Sequence, residues 1–177
     1  MKIQYELFPL PKQKILEHDR FDIHNIGYDK HYKTDYSVVP KHTFFIYKTG
    51  GMNRYLKKMG PVFPYIKNEV TGNLISVSST STDHYVKTNI SLRNGTQQTK
   101  VIRIHRVAAF AFIHNPDPDN FAVVHHKNGN VLDYRLENLE WTSQSSNMKD
   151  VDKSADKYKN RHALLEEKGH SFDFKLE

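Results

Sequence analysis

The chain has 177 residues, with 26 Lys and Arg, 20 Asp and Glu, 11 His, no Cys and a net charge of +6. That length suits about one domain plus a small appended element. The lack of cysteine excludes disulfides, Cys-ligated zinc, iron–sulfur clusters and cysteine nucleophiles. No window approaches the roughly 18 apolar residues of a membrane span, and the N-terminus lacks the apolar core of a signal peptide.

The first 40 residues are polar and irregular. Pro9 and Pro11 break any early helix, and His18–Tyr36 is rich in Asp, His and Tyr without periodicity, so an extended arm or loose wrapping segment is expected. His18, His24, His31 and His42 fit no metal-binding spacing. The basic excess lies in the first 100 residues, which hold 15 Lys/Arg against 8 Asp/Glu. Its densest part is residues 41–68, with six basic residues, six Phe or Tyr and no acidic residue. Lys41, Lys48, Arg54, Lys57, Lys58 and Lys67, interleaved with aromatics, are the expected nucleic-acid contacts. The competing reading is a solvated face over a small aromatic core.

Within this half, Thr43–Lys48 reads as a short strand before a Gly50-Gly51 turn. From Phe63 the pattern becomes an antiparallel meander. Leu74–Ser79, Tyr85–Leu92 and Lys100–Ile104 are the expected strands, with a hairpin turn at Arg93-Asn94-Gly95. The period then switches. His105–Ile113 is apolar at helical spacing and reads as a short buried helix, stopped by Asn115-Pro116-Asp117-Pro118. Phe121–Val124 and Leu139–Trp141 read as strands around a long turn, and Thr142 or Ser143 caps a helix through about Lys149. Ser154–Lys168 reads as a solvated helix ended by Gly169.

Chemistry concentrates in Val123–Asn147, VVHHKNGNVLDYRLENLEWTSQSSN. His125 and His126 end an apolar strand, Asn138 precedes the next strand, and Asn147 lies in the following helix. A two-stranded ribbon with a helix folded against it can gather two imidazoles and an amide around one small site. Such a site suits phosphodiester hydrolysis. A neutral imidazole can deprotonate water, and one divalent ion can stabilise the phosphorane and the leaving oxygen.

At these residues the chain resembles the HNH, or His-Me finger, nucleases, and most of all the homing-type HNH endonucleases of phages and mobile introns. His126-Lys127-Asn128-Gly129-Asn130 matches the "H-x-D/N-G-N" pattern, and Glu137–Thr142 matches "ENLEW-T". His105-Arg106-Val107-Ala108 with Phe112 resembles the preceding "HRLVA…F" helix, and Asn115-Pro116 its "NP" turn. Pro64–Ser79 weakly resembles the DNA-binding module that often precedes the motif.

The resemblance implies an α+β protein: an antiparallel β-rich N-terminal part, then a ββα-metal (His-Me) finger, then a C-terminal helical tail. The expected division is 1–60 for a basic, aromatic arm or DNA-binding element, 61–100 for an antiparallel DNA-binding part, 101–150 for the finger and 151–177 for the charged tail. It implies His126 as general base, Asn138 as the residue that holds the loop carrying it, and His125 and Asn147 as metal ligands. Arg103, Arg106 and Lys127 would join the contacts to DNA. His105 reads as a packed, hydrogen-bonded core residue rather than a ligand. The implied cofactor is one divalent metal ion, Mg²⁺ or Mn²⁺, with no structural zinc. Homing-type relatives usually carry Asp or Asn where this chain has His125. A histidine there is similar to the colicin-type nucleases and softens the site toward Ni²⁺ or Zn²⁺.

The implied activity is metal-dependent, site-specific hydrolysis of double-stranded DNA, of homing or restriction type, leaving 5′-phosphate and 3′-hydroxyl ends. The expected setting is the cytoplasm of a bacterial or phage-infected cell, as monomer or homodimer, with no membrane and no protein partner evident. The rivals are a non-cleaving DNA-binding protein with a decayed finger and an RNase or toxin nuclease, for which no delivery segment is seen.

Overall fold

The computed structural model describes residues 14–79, 84–92 and 98–148. The turn expected at Arg93-Asn94-Gly95, the helix over Ser154–Lys168 and the two early prolines lie outside these residues. Chain order is β1 (Arg20–Asp22), a 3₁₀ turn (Ile23–Ile26), β2 (Tyr28–Asp29), β3 (Thr34–Asp35), β4 (Phe44–Gly51), a second 3₁₀ turn (Lys57–Met59) and β5 (Phe63–Asn68). Then come β6 (Lys87–Ser91), β7 (Thr99–Arg103), α1 (Ile104–Phe112), β8 (Val123–His126), a third 3₁₀ turn (Leu136–Asn138) and β9 (Leu139–Thr142). A final helical turn, α2, covers 144–148.

β4 is the centre of a three-stranded antiparallel sheet, with β1 on one side and β5 on the other. The Phe-Phe-Ile-Tyr run of β4 alternates between a core face and an outer face, as period-2 patterning requires. Phe44 and Ile46 join Phe63 and Ile66 in the core. Outside, Tyr47 stacks on Tyr65 at 4.9 Å, and the Tyr47 hydroxyl bonds Glu69. Gly50 and Gly51 do not make the expected turn. They lie within β4, where the register shifts between Tyr47 and Gly51. The strands approach so closely there that a Cβ on Gly51 would lie 2.7 Å from that of Tyr65 and 2.8 Å from the Phe63 carbonyl. The expected strand over Leu74–Ser79 is reduced to isolated bridges at Leu74 and Ser78.

Residues 14–40 are not a loose arm. Ile23, Tyr36 and Val39 are fully buried, and the Asp-rich composition has a local cause. Asp22 accepts from the backbone N–H groups of His24 and His42, and Asp29 from that of His31. Aspartates that fold the chain onto themselves tighten turns rather than solvate a loop. Farther back, Leu16 N–H bonds the Phe112 carbonyl at 2.7 Å and His18 Nε2 contacts the Ala111 carbonyl at 2.5 Å, tying the segment to the end of α1.

Helix α1 is apolar nearly all round and sits where the sheets converge, touching β4, β5, β7, β8 and β9. Its polar exceptions are His105 and Arg106, each 2% exposed. Arg106 Nε and Nη2 bond both oxygens of Asp29, at 2.9 and 2.5 Å, and Nη1 donates to the Ala122 carbonyl at 2.7 Å. Phe110, Trp141 and Tyr32 rings surround the guanidinium. None of the described helices is long and apolar enough to cross a membrane.

Removing one partner of a buried, bonded ion pair strands the other charge. Asp29→Ala should therefore cost roughly 3–5 kcal/mol in urea unfolding. The double change Asp29→Leu with Arg106→Met should be less damaging than Asp29→Ala, because no charge is left buried.

Candidate active site

β8 and β9 pair antiparallel, with His125 opposite Glu140 and His126 opposite Leu139. Successive strand residues face opposite ways, so the two histidines part company. His125 turns toward α2. There Ser143 caps the helix through a bond from Ser146 N–H to its Oγ, and Asn147 N–H bonds the Ser143 carbonyl. This short capped turn returns Asn147 to the ribbon, with its Oδ1 3.0 Å from His125 Nδ1.

His126 turns inward and is 4% exposed. Its ring lies 5.1 Å from that of His105 and 5.8 Å from that of Tyr85, and Tyr85 stacks on His105 at 4.5 Å. Burial, together with nearby His125, lowers the His126 pKa to about 4, so the imidazole is neutral at pH 7. Burial holds His105 well below the ordinary histidine range, reinforced by His126 and by Arg106. Two buried nitrogens here, His126 Nε2 and His105 Nδ1, have no hydrogen-bond partner. His105 is thus packed as expected, but its Nδ1 is not hydrogen-bonded.

The loop after His126 is held by Asn138, itself buried. Its Oδ1 accepts from Asn128 N–H at 3.0 Å, its Nδ2 donates to the Asp133 carbonyl at 2.7 Å and to Asn128 Oδ1 at 3.0 Å, and its carbonyl accepts from Lys127 N–H. Asp133 in turn accepts two bonds from the Arg135 guanidinium, one from the Arg135 backbone N–H and one from the Asn128 amide. Gly129, at φ 71°, closes the turn by donating to the His126 carbonyl.

The sequence-derived contacts to DNA divide. Arg106 is corrected: its guanidinium is enclosed and bonded to Asp29 and Ala122, so it holds the fold rather than a phosphate. Arg103 is half-buried over the Tyr32 ring. Lys48 directs its ammonium to the Leu16 carbonyl and Lys67 to Glu69. Lys127 is exposed and donates to the Glu137 carbonyl. Lys41, Arg54, Lys57 and Lys58 are exposed. The loop carrying the last three is fastened to the finger by buried Asn53, whose Nδ2 donates to the Leu132 carbonyl at 2.7 Å.

Sequence reasoning passed over Asn53 and Tyr85, which lie outside the motif, and Asn128 and Asp133, which lie inside it. Their pairing with Asn138 could have been sought from the Asx-rich turn.

The described residues contain no group of three His, Cys, Asp or Glu able to hold a metal. The His125–Asn147 pair still fits one ion. Two ligands that each bind at about 2.1 Å and subtend a right angle lie about 3 Å apart. An imidazole and an amide oxygen leave most of the coordination sphere to water and substrate.

A ribbon, a latched loop and a short helix that present this pair beside a buried imidazole define a ββα finger. Residues 103–149 match the family model described as HNH endonuclease. An HNH endonuclease of Acanthamoeba polyphaga mimivirus is 36% identical over 103 residues, 58% of this chain and 25% of the relative. A second from the same virus is 38% identical over 82 residues, 46% of this chain and 23% of the relative. The chain thus spans about a quarter of the length of these viral relatives. The fold is similar to that of the HNH homing endonuclease I-HmuI, with a TM-score of 0.51 at 18% identity over 85% of this chain and 68% of the other.

Because the unfolded chain binds protons near pH 6.5 and folded His126 only near pH 4, protons favour unfolding between these values. Stability of the metal-free protein should be level above about pH 7 and fall as pH drops from 6.5 toward 4, with roughly 3 kcal/mol from His126. Urea midpoints taken in EDTA from pH 8 to 4.5 measure this, and His126→Ala should flatten the slope.

Proposed function

We propose that the protein is a metal-dependent DNA endonuclease that hydrolyses phosphodiester bonds to 5′-phosphate and 3′-hydroxyl ends at preferred sites. The observation that carries this reading is the His125–Asn147 pair at 3.0 Å beside a buried, neutral His126, in a segment that matches the HNH endonuclease family model. His126 takes one of the two protons of a water molecule, the water oxygen attacks phosphorus, and the bond to the 3′-oxygen breaks, that oxygen taking a proton from solvent water. A divalent ion held by His125 and Asn147 would stabilise charge on the phosphorane and on the leaving oxygen. Asn138 keeps the loop after His126 in register, so the base and the ligand pair stay fixed relative to one another.

Double-stranded DNA is the proposed substrate. Exposed Lys41, Arg54, Lys57, Lys58 and Lys127 supply positive charge, and the Asn53 link ties part of that charge to the finger. The viral source of the relatives supports a setting in the cytoplasm of an infected cell.

Supercoiled plasmid incubated with Mg²⁺, Mn²⁺, Ni²⁺, Zn²⁺ or EDTA tests the reading. Cleavage is expected with metal and not with EDTA. His126→Ala should lose at least about 100-fold in rate while binding DNA as the wild type does. Lys57→Ala with Lys58→Ala should weaken binding and reduce the slope of log affinity against log salt by up to about 2. Cleavage in EDTA, or a His126→Ala protein that cuts normally, would overturn the mechanism. Intact plasmid and intact host DNA with every metal would favour the non-cleaving alternative.

A further inference from the structure

A base that takes a proton through one imidazole nitrogen must carry its own proton on the other. That N–H needs an acceptor when it is buried, since an unsatisfied donor costs free energy. His126 Nε2 is such an atom: enclosed, with no partner. His105 Nδ1 is also enclosed, also without a partner, and belongs to the neighbouring ring. The centroids are 5.1 Å apart and the planes 54° from one another, a separation at which nitrogens turned toward each other would lie about 3 Å apart, the length of one hydrogen bond. Tyr85 lies nearly parallel to both rings, at 28° to His105 and 29° to His126, and covers them together. The last torsion of histidine is soft, and rotation about it is the motion that would bring the two nitrogens into line.

We propose that His105 is the positioning residue of the base: its buried Nδ1 accepts a hydrogen bond from Nε2–H of His126 and fixes Nδ1 of His126 as the nitrogen offered to water. One bond then satisfies both atoms. Burial suits His105 to the acceptor role, because it keeps the ring neutral and its lone pair available. The helix carries the arrangement: His105 sits one residue before Arg106, whose bonds to Asp29 fix the first turn of α1 against the N-terminal segment. This inference rests on the endonuclease reading for its catalytic meaning, while the hydrogen bond itself does not.

The test reads tautomers and rates separately on the full chain. Two-bond ¹H–¹⁵N correlation spectra at pH 7.5 without metal should show His126 as the Nε2–H tautomer and His105 with an unprotonated Nδ1. His105→Phe keeps a ring against Tyr85 but removes the acceptor. It should shift His126 toward the Nδ1–H form and lower kcat about 10- to 100-fold with KM for DNA unchanged. His105→Asn, whose amide oxygen lies near the lost Nδ1, should restore part of both. A wild-type His126 found mainly as Nδ1–H would overturn the proposal, and so would a His105→Phe protein with unchanged tautomer and kcat. If the wild type itself cleaves nothing, the endonuclease reading fails, and the spectra still decide the His105–His126 bond.

Discussion

The ion pair between Asp29 and Arg106 joins parts of the chain 77 residues apart, and both groups are removed from water. Charges buried this deeply are tolerable only when each has its hydrogen bonds met. Asp29 meets this condition by accepting from Arg106 and from the backbone of the turn that follows it, and Arg106 by donating also to Ala122. The pair therefore fixes three things at once: the turn between β2 and β3, the first turn of α1, and the stretch entering β8. The finger's ribbon begins at the residue after Ala122, so the geometry of the site is referred back to the N-terminal segment. The aromatic enclosure by Tyr32, Phe110 and Trp141 excludes the water that would otherwise screen the two charges.

This dependence explains which parts of the structure were legible in the sequence. The finger was legible because its logic is local. A strand, an Asx-rich turn, a second strand and a capped helix all lie within Val123–Asn147, and the helix needs only Ser143 to start where Asn147 can reach His125. α1 was legible because nearly every residue in it is apolar. Residues 14–40 were not, because what orders them comes from far away: Asp29 from Arg106, Leu16 and His18 from the end of α1, and β1 from β4. An aspartate destined for a buried guanidinium looks, in sequence, like an aspartate destined for water. The same blindness made Arg106 a candidate for phosphate. Arginine beside a nuclease motif suggests DNA, and only burial shows that its fork is filled by Asp29.

The Gly50-Gly51 pair errs for a related reason. Two adjacent glycines signal freedom of the backbone, and in many chains that freedom is used to turn. Here it is used for contact: Gly51 lets β4 press against Phe63 and Tyr65 with no room for a side chain. The bulge leads β4 into Asn53, whose amide fastens the neighbouring basic loop to the carbonyl of Leu132. Charge that looked like a continuous basic stretch is thereby sorted. Lys48 and Lys67 are engaged with protein oxygens, while Arg54, Lys57 and Lys58 ride on the loop anchored to the finger.

At the site, strand alternation is the device that makes two neighbouring histidines chemically unlike. His125 faces α2 and an amide oxygen, a setting suited to holding a cation. His126 faces Val124's side of the ribbon, among His105 and Tyr85, where burial removes the charged form from consideration at neutral pH. Had both pointed the same way, they would have shared one environment, and a cation near one would have been felt equally by the other. Their different neighbours, Asn147 for one and His105 with Tyr85 for the other, divide ligand from base without lengthening the chain between them. The arrangement also sets its own requirement: a base turned into the protein must be oriented by the protein, and the ring beside it belongs to the helix that the Asp29–Arg106 pair holds in place.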